Sequence, residues 1–299
     1  MEEQARQQAE VQPEPELLYH YTTQEGLLGI LGDKDKNIWA THYRYLNDAS
    51  EGQIVTKLLF DELKRRSGGD DEGVISQGKS ILSEITSHEV YVTSFSEDGN
   101  LLSQWRAYSR KSGGYSIGFS SNYLKTIGEY SMKNTPGRYY SHDNPLIHCK
   151  YFDNDVEKQL KESIQKAVDS YINEEEEIRR TPAVRTGCLT PAAIALKHFR
   201  DFSRECAITK DYAFHEEREW RLVLHQFAED VLFRQGRSML IPYLEIPLAY
   251  PEQRLEIKSI CIGPCPNPVE ARMSVNMLLK KQNIYNVDVK DSKIPYRNL

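Results

Sequence analysis

Four short segments of this chain gather side chains that could do chemistry. Tyr19-His20-Tyr21-Thr22-Thr23 sets a histidine among tyrosines and hydroxyls. On a strand, Leu18 and His20 share one face, so His20 points into the core or a cleft and the tyrosines point the other way. The plainer alternative is a satisfied buried histidine beside a helix cap. Val92-Thr-Ser94-Phe-Ser96-Glu97-Asp98 puts Ser94 and Ser96 on one face of a second strand; it also reads as a strand end turning into a loop. Trp105 and Tyr108 lie three apart, forming an aromatic wall on one helical turn or an ordinary packing contact. In Phe214-His-Glu216-Glu217-Arg218-Glu219-Trp220-Arg221, extended backbone would aim Glu217 and Glu219 the same way. Paired carboxylates raise one pKa and can stabilise a developing cation. The alternative is an ion-pair ladder with Arg218 and Arg221.

Those segments need elements to hold them. Residues 1–15 read as a disordered lead and residues 16–299 as one α+β domain, with a helical insertion over 156–208. A strand at 17–21 runs into a helix over Gln24–Leu31 capped by Thr22 or Thr23, and Ile38–Ala40 is a second extended piece. Asp48-Ala-Ser-Glu51 has the form of a capping box for a helix with Val55, Leu58, Leu59 and Leu63 on one face. Val74, Ile75, Leu82 and Ile85 predict another helix. Strands are expected at 90–95, 115–119, 147–152, 219–225, 239–246 and 257–262. Steps of four from Val156 to Ile172 predict a helix over 156–180. Thr190-Pro191 and Asn267-Pro268 each open a further one.

Composition narrows the field. The 299 residues carry 44 Asp plus Glu against 38 Lys plus Arg, a net charge of −6, which argues against general gripping of phosphate backbones. No apolar run is long enough to cross a membrane, the first residues show no signal-peptide pattern, and the five cysteines suit a reducing cytoplasm better than a disulfide framework. Phosphate-binding glycine loops, a G-x-S-x-G elbow and H-E-x-x-H are absent, and Cys261 and Cys265 lack partners at zinc-like spacing. No metal is expected. Eighteen tyrosines against nine phenylalanines favour half-buried pockets.

Taken in order, the segments resemble a bacterial family known as DUF2971, a domain of unknown function. The resemblance is carried by Tyr19-His20-Tyr21-Thr22, Leu46-Asn47-Asp48 with Glu51, Ser94-Phe95-Ser96, Trp105-x-x-Tyr108 and Gly114-Tyr-Ser-Ile-Gly-Phe119. It continues through Phe214-x-x-Glu217-x-Glu219-Trp220-Arg221, Ile262-Gly263-Pro264 and Ser292-x-x-Pro295-Tyr296-Arg297.

The order of histidine, serine-rich strand, tyrosine and E-x-E is also similar to the ADP-ribosyltransferase fold, whose split sheets bind NAD in a cleft. This chain mixes two patterns of that superfamily, because His20 stands where an arginine accompanies Ser-x-Ser and E-x-E. The resemblance implies an NAD-dependent ADP-ribosyltransferase or NAD glycohydrolase, acting as a toxin or phage-defence effector on a protein or nucleic-acid target. NAD would be its substrate. Glu219 would stabilise the ribosyl cation, Glu217 would meet the nucleophile and His20 would bind a ribose hydroxyl. Thr22 would hold the nicotinamide end, Tyr108 or Tyr21 would stack on its ring beside Trp105, and Ser94 and Ser96 would floor the cleft. Arg221 or Arg297 would pair with the pyrophosphate. Two other readings stay open: a non-catalytic nucleotide- or protein-binding module of the same fold, and a metal-dependent nuclease or hydrolase using Glu217 and Glu219.

Overall fold

The computed structural model describes residues 13–32, 35–46, 52–66, 81, 89–108, 113–134, 144–180, 191–226 and 231–295. Among them the chain is α+β. Its strands are β1 (Leu17–Thr23), β2 (Asn37–His42), β3 (Glu89–Ser96), β4 (Gly114–Ser120), β5 (Leu146–His148) and β6 (Lys150–Phe152). They continue with β7 (Thr209–Asp211), β8 (Glu219–Gln226), β9 (Leu232–Gln235), β10 (Leu240–Pro247), β11 (Ser259–Ile262) and β12 (Asp288–Asp291). The helices are α1 (Gln24–Leu31), α2 (Gln53–Arg66), α3 (Leu102–Tyr108), α4 (Ser121–Lys133), α5 (Asn154–Arg180), α6 (Pro191–Ile208) and α7 (Pro268–Lys281).

Among the described residues ten strands make one mixed sheet, while β6 and β7 pair in parallel as a separate ribbon. The sheet divides at β3. One edge of β3 pairs with β8 from Glu89 to Ser96. The other edge meets β1 only at Tyr19–Ser96 and β2 only at Thr41–Val92 and His42–Tyr91. The order β12-β11-β4-β1 therefore leaves β3 at one end, and β2-β10-β9 leaves it at the other. Between them the carbonyl of Ser94 has no strand partner among the described residues, and Nδ1 of His20 donates to it at 3.0 Å. A buried carbonyl needs a donor, and His20 supplies one across the split.

Each face buries its own layer. Leu18, Phe95, Ile117, Phe119, Leu222 and Ile260 pack on one side with residues of α1, α4 and α7. Val90, Val92 and Val223 pack on the other with α2, α5 and α6. Fully burying each such side chain stabilises the fold by roughly 1.5–3 kcal/mol. The apolar steps of α5 arise as the sequence dictates, since Leu160, Ile164, Val168 and Tyr171 are all buried. Together with α6, whose Ile194, Phe199 and Phe202 are buried in the same cluster, it forms part of the second core.

Several expected elements differ in detail. Thr23, not Thr22, caps α1, accepting from the Gly26 N–H at 3.2 Å. The single strand expected at 147–152 is two strands parted at Cys149, because β5 joins β8 and β6 joins β7. Asn267 precedes α7 without a side-chain cap. The capping box at 48–51 and the helix expected over 74–85 lie outside the described residues, apart from the buried Ile81. No helix among the described residues is long and apolar enough to cross a membrane.

Candidate functional site

The sheet lines up the first, second and fourth motif segments at one level. Tyr19 pairs with Ser96, and Ser96 pairs with Glu219, so these three side chains stand side by side on β1, β3 and β8. Two glycines clear space for the Tyr19 ring: a Cβ at Gly99 would fall 2.4 Å from it, and one at Gly118 would fall 3.0 Å away. The third segment, α3, brings Trp105 and Tyr108 against Tyr19 and Tyr21 on the same face.

Glu217 and Glu219 converge, though not by strand alternation. Tyr212–Glu217 is a 3-10 turn that ends at Arg218 in the left-handed region (φ 39°, ψ 57°). That conformation is costly for a residue with a Cβ, and here it folds Glu217 back toward Glu219. Nζ of Lys210 donates to both, at 2.7 Å to Glu217 and 2.6 Å to Glu219, and lies 4.8 Å from the Phe214 ring centre. Nε of Arg221 reaches Glu219 at 2.7 Å, and its guanidinium also donates to the Ala207 carbonyl. The Ser96 hydroxyl donates to the Glu217 carbonyl at 2.8 Å, and the Glu219 N–H donates to the Tyr151 hydroxyl at 2.6 Å. Arg218 instead faces Glu97 and Asp98, at 3.7 and 3.8 Å.

Burial and charge act against each other here. Glu219 is 5 % exposed, and burial alone would raise its carboxyl, but Arg221 and Lys210 outweigh it and hold the group at about 2. Burial would discharge Lys210, yet Glu219 and Glu217 keep it charged. Tyr108 is pushed up to about 12 by burial, reinforced by the negative charge of Glu219 and Glu217. Tyr108, Glu217, Glu219, Lys210 and Arg221 thus form one electrostatic unit. Its two anions are matched by two cations, and Glu217 and Tyr108 are its more accessible members.

Other predicted site residues lie elsewhere. His20 follows Leu18 to the opposite face, with its ring 5.8 Å from Phe95. It does not share a cleft with Glu219, and burial lowers its pKa against the Ser94 hydrogen bond. Thr22 points to that side as well, where its hydroxyl closely abuts Gly26. Tyr21 is buried; its hydroxyl donates to Asp98 O at 2.7 Å and accepts from Leu101 N–H at 2.8 Å, which fixes the ring in place of a ligand. Trp105 is 1 % exposed, edge-on to Tyr21, and its indole N–H goes to Asn100 at 3.0 Å. Arg221 is held by Glu219 and Ala207 and is not turned to a pyrophosphate. Ser94 shares the face of Arg221. Arg297 and Tyr296 lie outside the described residues.

The sequence reading passed over Lys210 and Tyr151. A lone lysine after an amphipathic helix resembles surface, and only the pairing of β6 with β7 carries both residues to Glu219. Among the described residues no group of three or more His, Cys, Asp or Glu is placed to hold a metal ion.

Residues 104–222 match the family described as "Protein of unknown function (DUF2971)", as the ordered motifs implied. That stretch holds Tyr108, Lys210, Glu217, Glu219 and Arg221 together. No curated protein and no solved structure gave a match.

Proposed function

We propose that this chain acts on NAD as an ADP-ribosyltransferase or NAD glycohydrolase, with Glu219 as the reacting carboxylate. The observation that carries the reading is the alignment of Tyr19, Ser96 and Glu219 at the point where the sheet splits, with Tyr108 beside them. Breaking the nicotinamide–ribose bond builds an oxocarbenium-like cation, and a fixed ionised carboxylate stabilises it. Glu219 is ionised at any physiological pH. Glu217, on the open side, is placed to orient an acceptor, and Tyr108 offers a ring for the nicotinamide. A ligand pyrophosphate would draw Lys210 away from Glu219, and that exchange would free the carboxylate as the substrate settles. His20 has a different part in this reading: it ties β1 to β3 across the split.

The buried double ion pair of Glu219 favours a second reading, a nucleotide- or protein-binding module that keeps the fold without turnover. Incubation with NAD, with free nicotinamide followed by chromatography, separates the two. Nicotinamide release supports the transferase or glycohydrolase. NAD-induced thermal stabilisation without release supports the module. Neither release nor stabilisation, with or without added protein and nucleic-acid acceptors, contradicts both nucleotide readings.

A further inference from the structure

The outer strands β2, β10 and β9 carry an aromatic and cationic surface that the Glu219 cluster does not use. Register places Trp39, Thr41, Tyr243 and Arg234 on one face. Trp39 is 45 % exposed, although Ile38 and Ala40 on either side are fully buried. Its ring centre lies 4.5 Å from that of Tyr243, and the Arg234 guanidinium stands 5.6 Å from the Trp39 centroid. One guanidinium nitrogen of Arg234 donates to Thr41 Oγ1 at 3.1 Å. Its Nε is buried and has no hydrogen-bond partner among the described residues, and no carboxylate among them pairs with this arginine. Burial lowers its pKa, with Tyr243 opposing. Glu245, the cross-strand neighbour of Trp39, is instead engaged by Asn37 Nδ2 at 3.0 Å.

A half-exposed indole beside an under-partnered guanidinium meets two needs of one ligand. The indole offers a stacking face for a flat heterocycle, and the planar fork of arginine suits phosphate oxygens. We propose that Trp39, Tyr243 and Arg234 form a binding site for a base that carries a phosphate, with the base on Trp39 and the phosphate on Arg234. The ligand is a free nucleotide or the end of a single strand. This site is independent of Glu219.

Calorimetric titration of the full chain with AMP, adenosine, inorganic phosphate and a short single-stranded oligoadenylate tests it. AMP should bind with adenosine and phosphate each weaker by about tenfold or more, because each lacks half of the recognition. Arg234→Gln should weaken AMP by about tenfold or more, and Trp39→Leu should do the same. If Trp39→Leu fails to fold by circular dichroism, Arg234→Gln decides alone. An oligoadenylate tighter than AMP assigns the site to a strand, and equal affinity assigns it to a free nucleotide; both support the proposal. Glu219→Gln should leave AMP binding intact, so failure of NAD turnover and failure of this site are distinguishable. Absence of binding by AMP and oligoadenylate up to about 1 mM, or unchanged AMP affinity in Arg234→Gln, overturns it.

Discussion

Glu219 and Arg234 stand on the same face of one sheet, four strand steps apart from β8 through β3, β2 and β10 to β9, and their surroundings are opposite. Glu219 has Lys210 and Arg221 within 2.7 Å and a backbone anchored by Tyr151. Arg234 has one hydroxyl, an aromatic ring and a nitrogen left unmatched among the described residues. A saturated buried charge is held in place, and any ligand must displace a partner to reach it. An under-partnered charge near the surface can take a ligand without rearrangement. The two sites should therefore answer mutation in opposite ways, one through stability and the other through binding.

The largest effect should come from Glu219→Ala. It takes from Lys210 and Arg221 the buried carboxylate they share, leaving Lys210 with Glu217 alone, and should cost about 3–5 kcal/mol in urea denaturation, or abolish folding. A cost within about 0.5 kcal/mol, typical of a surface site, would break the contrast. Tyr21→Phe comes next, because the hydroxyl both donates to Asp98 O and accepts from Leu101 N–H. Leaving those groups unmatched should cost about 1–3 kcal/mol, with no change in AMP affinity.

Acid sharpens the contrast through two groups of opposite sign. Glu219 has a lowered pKa, so its stabilisation is complete above the ordinary carboxylate value of 4.5 and disappears as pH falls toward about 2. His20 also has a lowered pKa, but as a base it is held neutral. Below its ordinary value of 6.5 the unfolded chain takes up the proton first, so stability falls as pH falls. Urea midpoints against pH should be flatter in His20→Asn just below 6.5 and flatter in Glu219→Gln only below 4.5. His42 and His148, also lowered by burial, keep part of the upper slope in either variant. The smallest stability effect belongs to Arg234→Gln, within about 0.5 kcal/mol, while its AMP binding weakens by about tenfold or more.

Much of the scaffold was legible because periodicity reports burial directly. The four-residue steps of α5 and the alternation of β3 and β8 gave those elements nearly to the residue. The helix α4, outside the expected elements, carries the same kind of signal, with Ser120 accepting from the Tyr123 N–H and with Tyr123, Leu124 and Ile127 buried. The site was half legible. Tyr108, Glu217 and Glu219 share one electrostatic cluster around Lys210, although Glu217 arrives through a left-handed Arg218, which spacing cannot reveal. His20 faces the Leu18 side, as strand alternation requires, yet which side holds Glu219 depends on the Tyr19–Ser96–Glu219 register. Register is a long-range property, so Lys210, Tyr151 and the Trp39–Arg234 pair were also hidden.

Nicotinamide release from NAD by Glu219→Gln, compared with the unaltered chain and with Glu217→Gln, tests the central claim most directly. Glu219 should matter for every turnover, so Glu219→Gln should lose release by roughly 100-fold or more. Glu217→Gln should keep release to water and lose transfer to an acceptor. Release by Glu219→Gln at the unaltered rate would contradict the account.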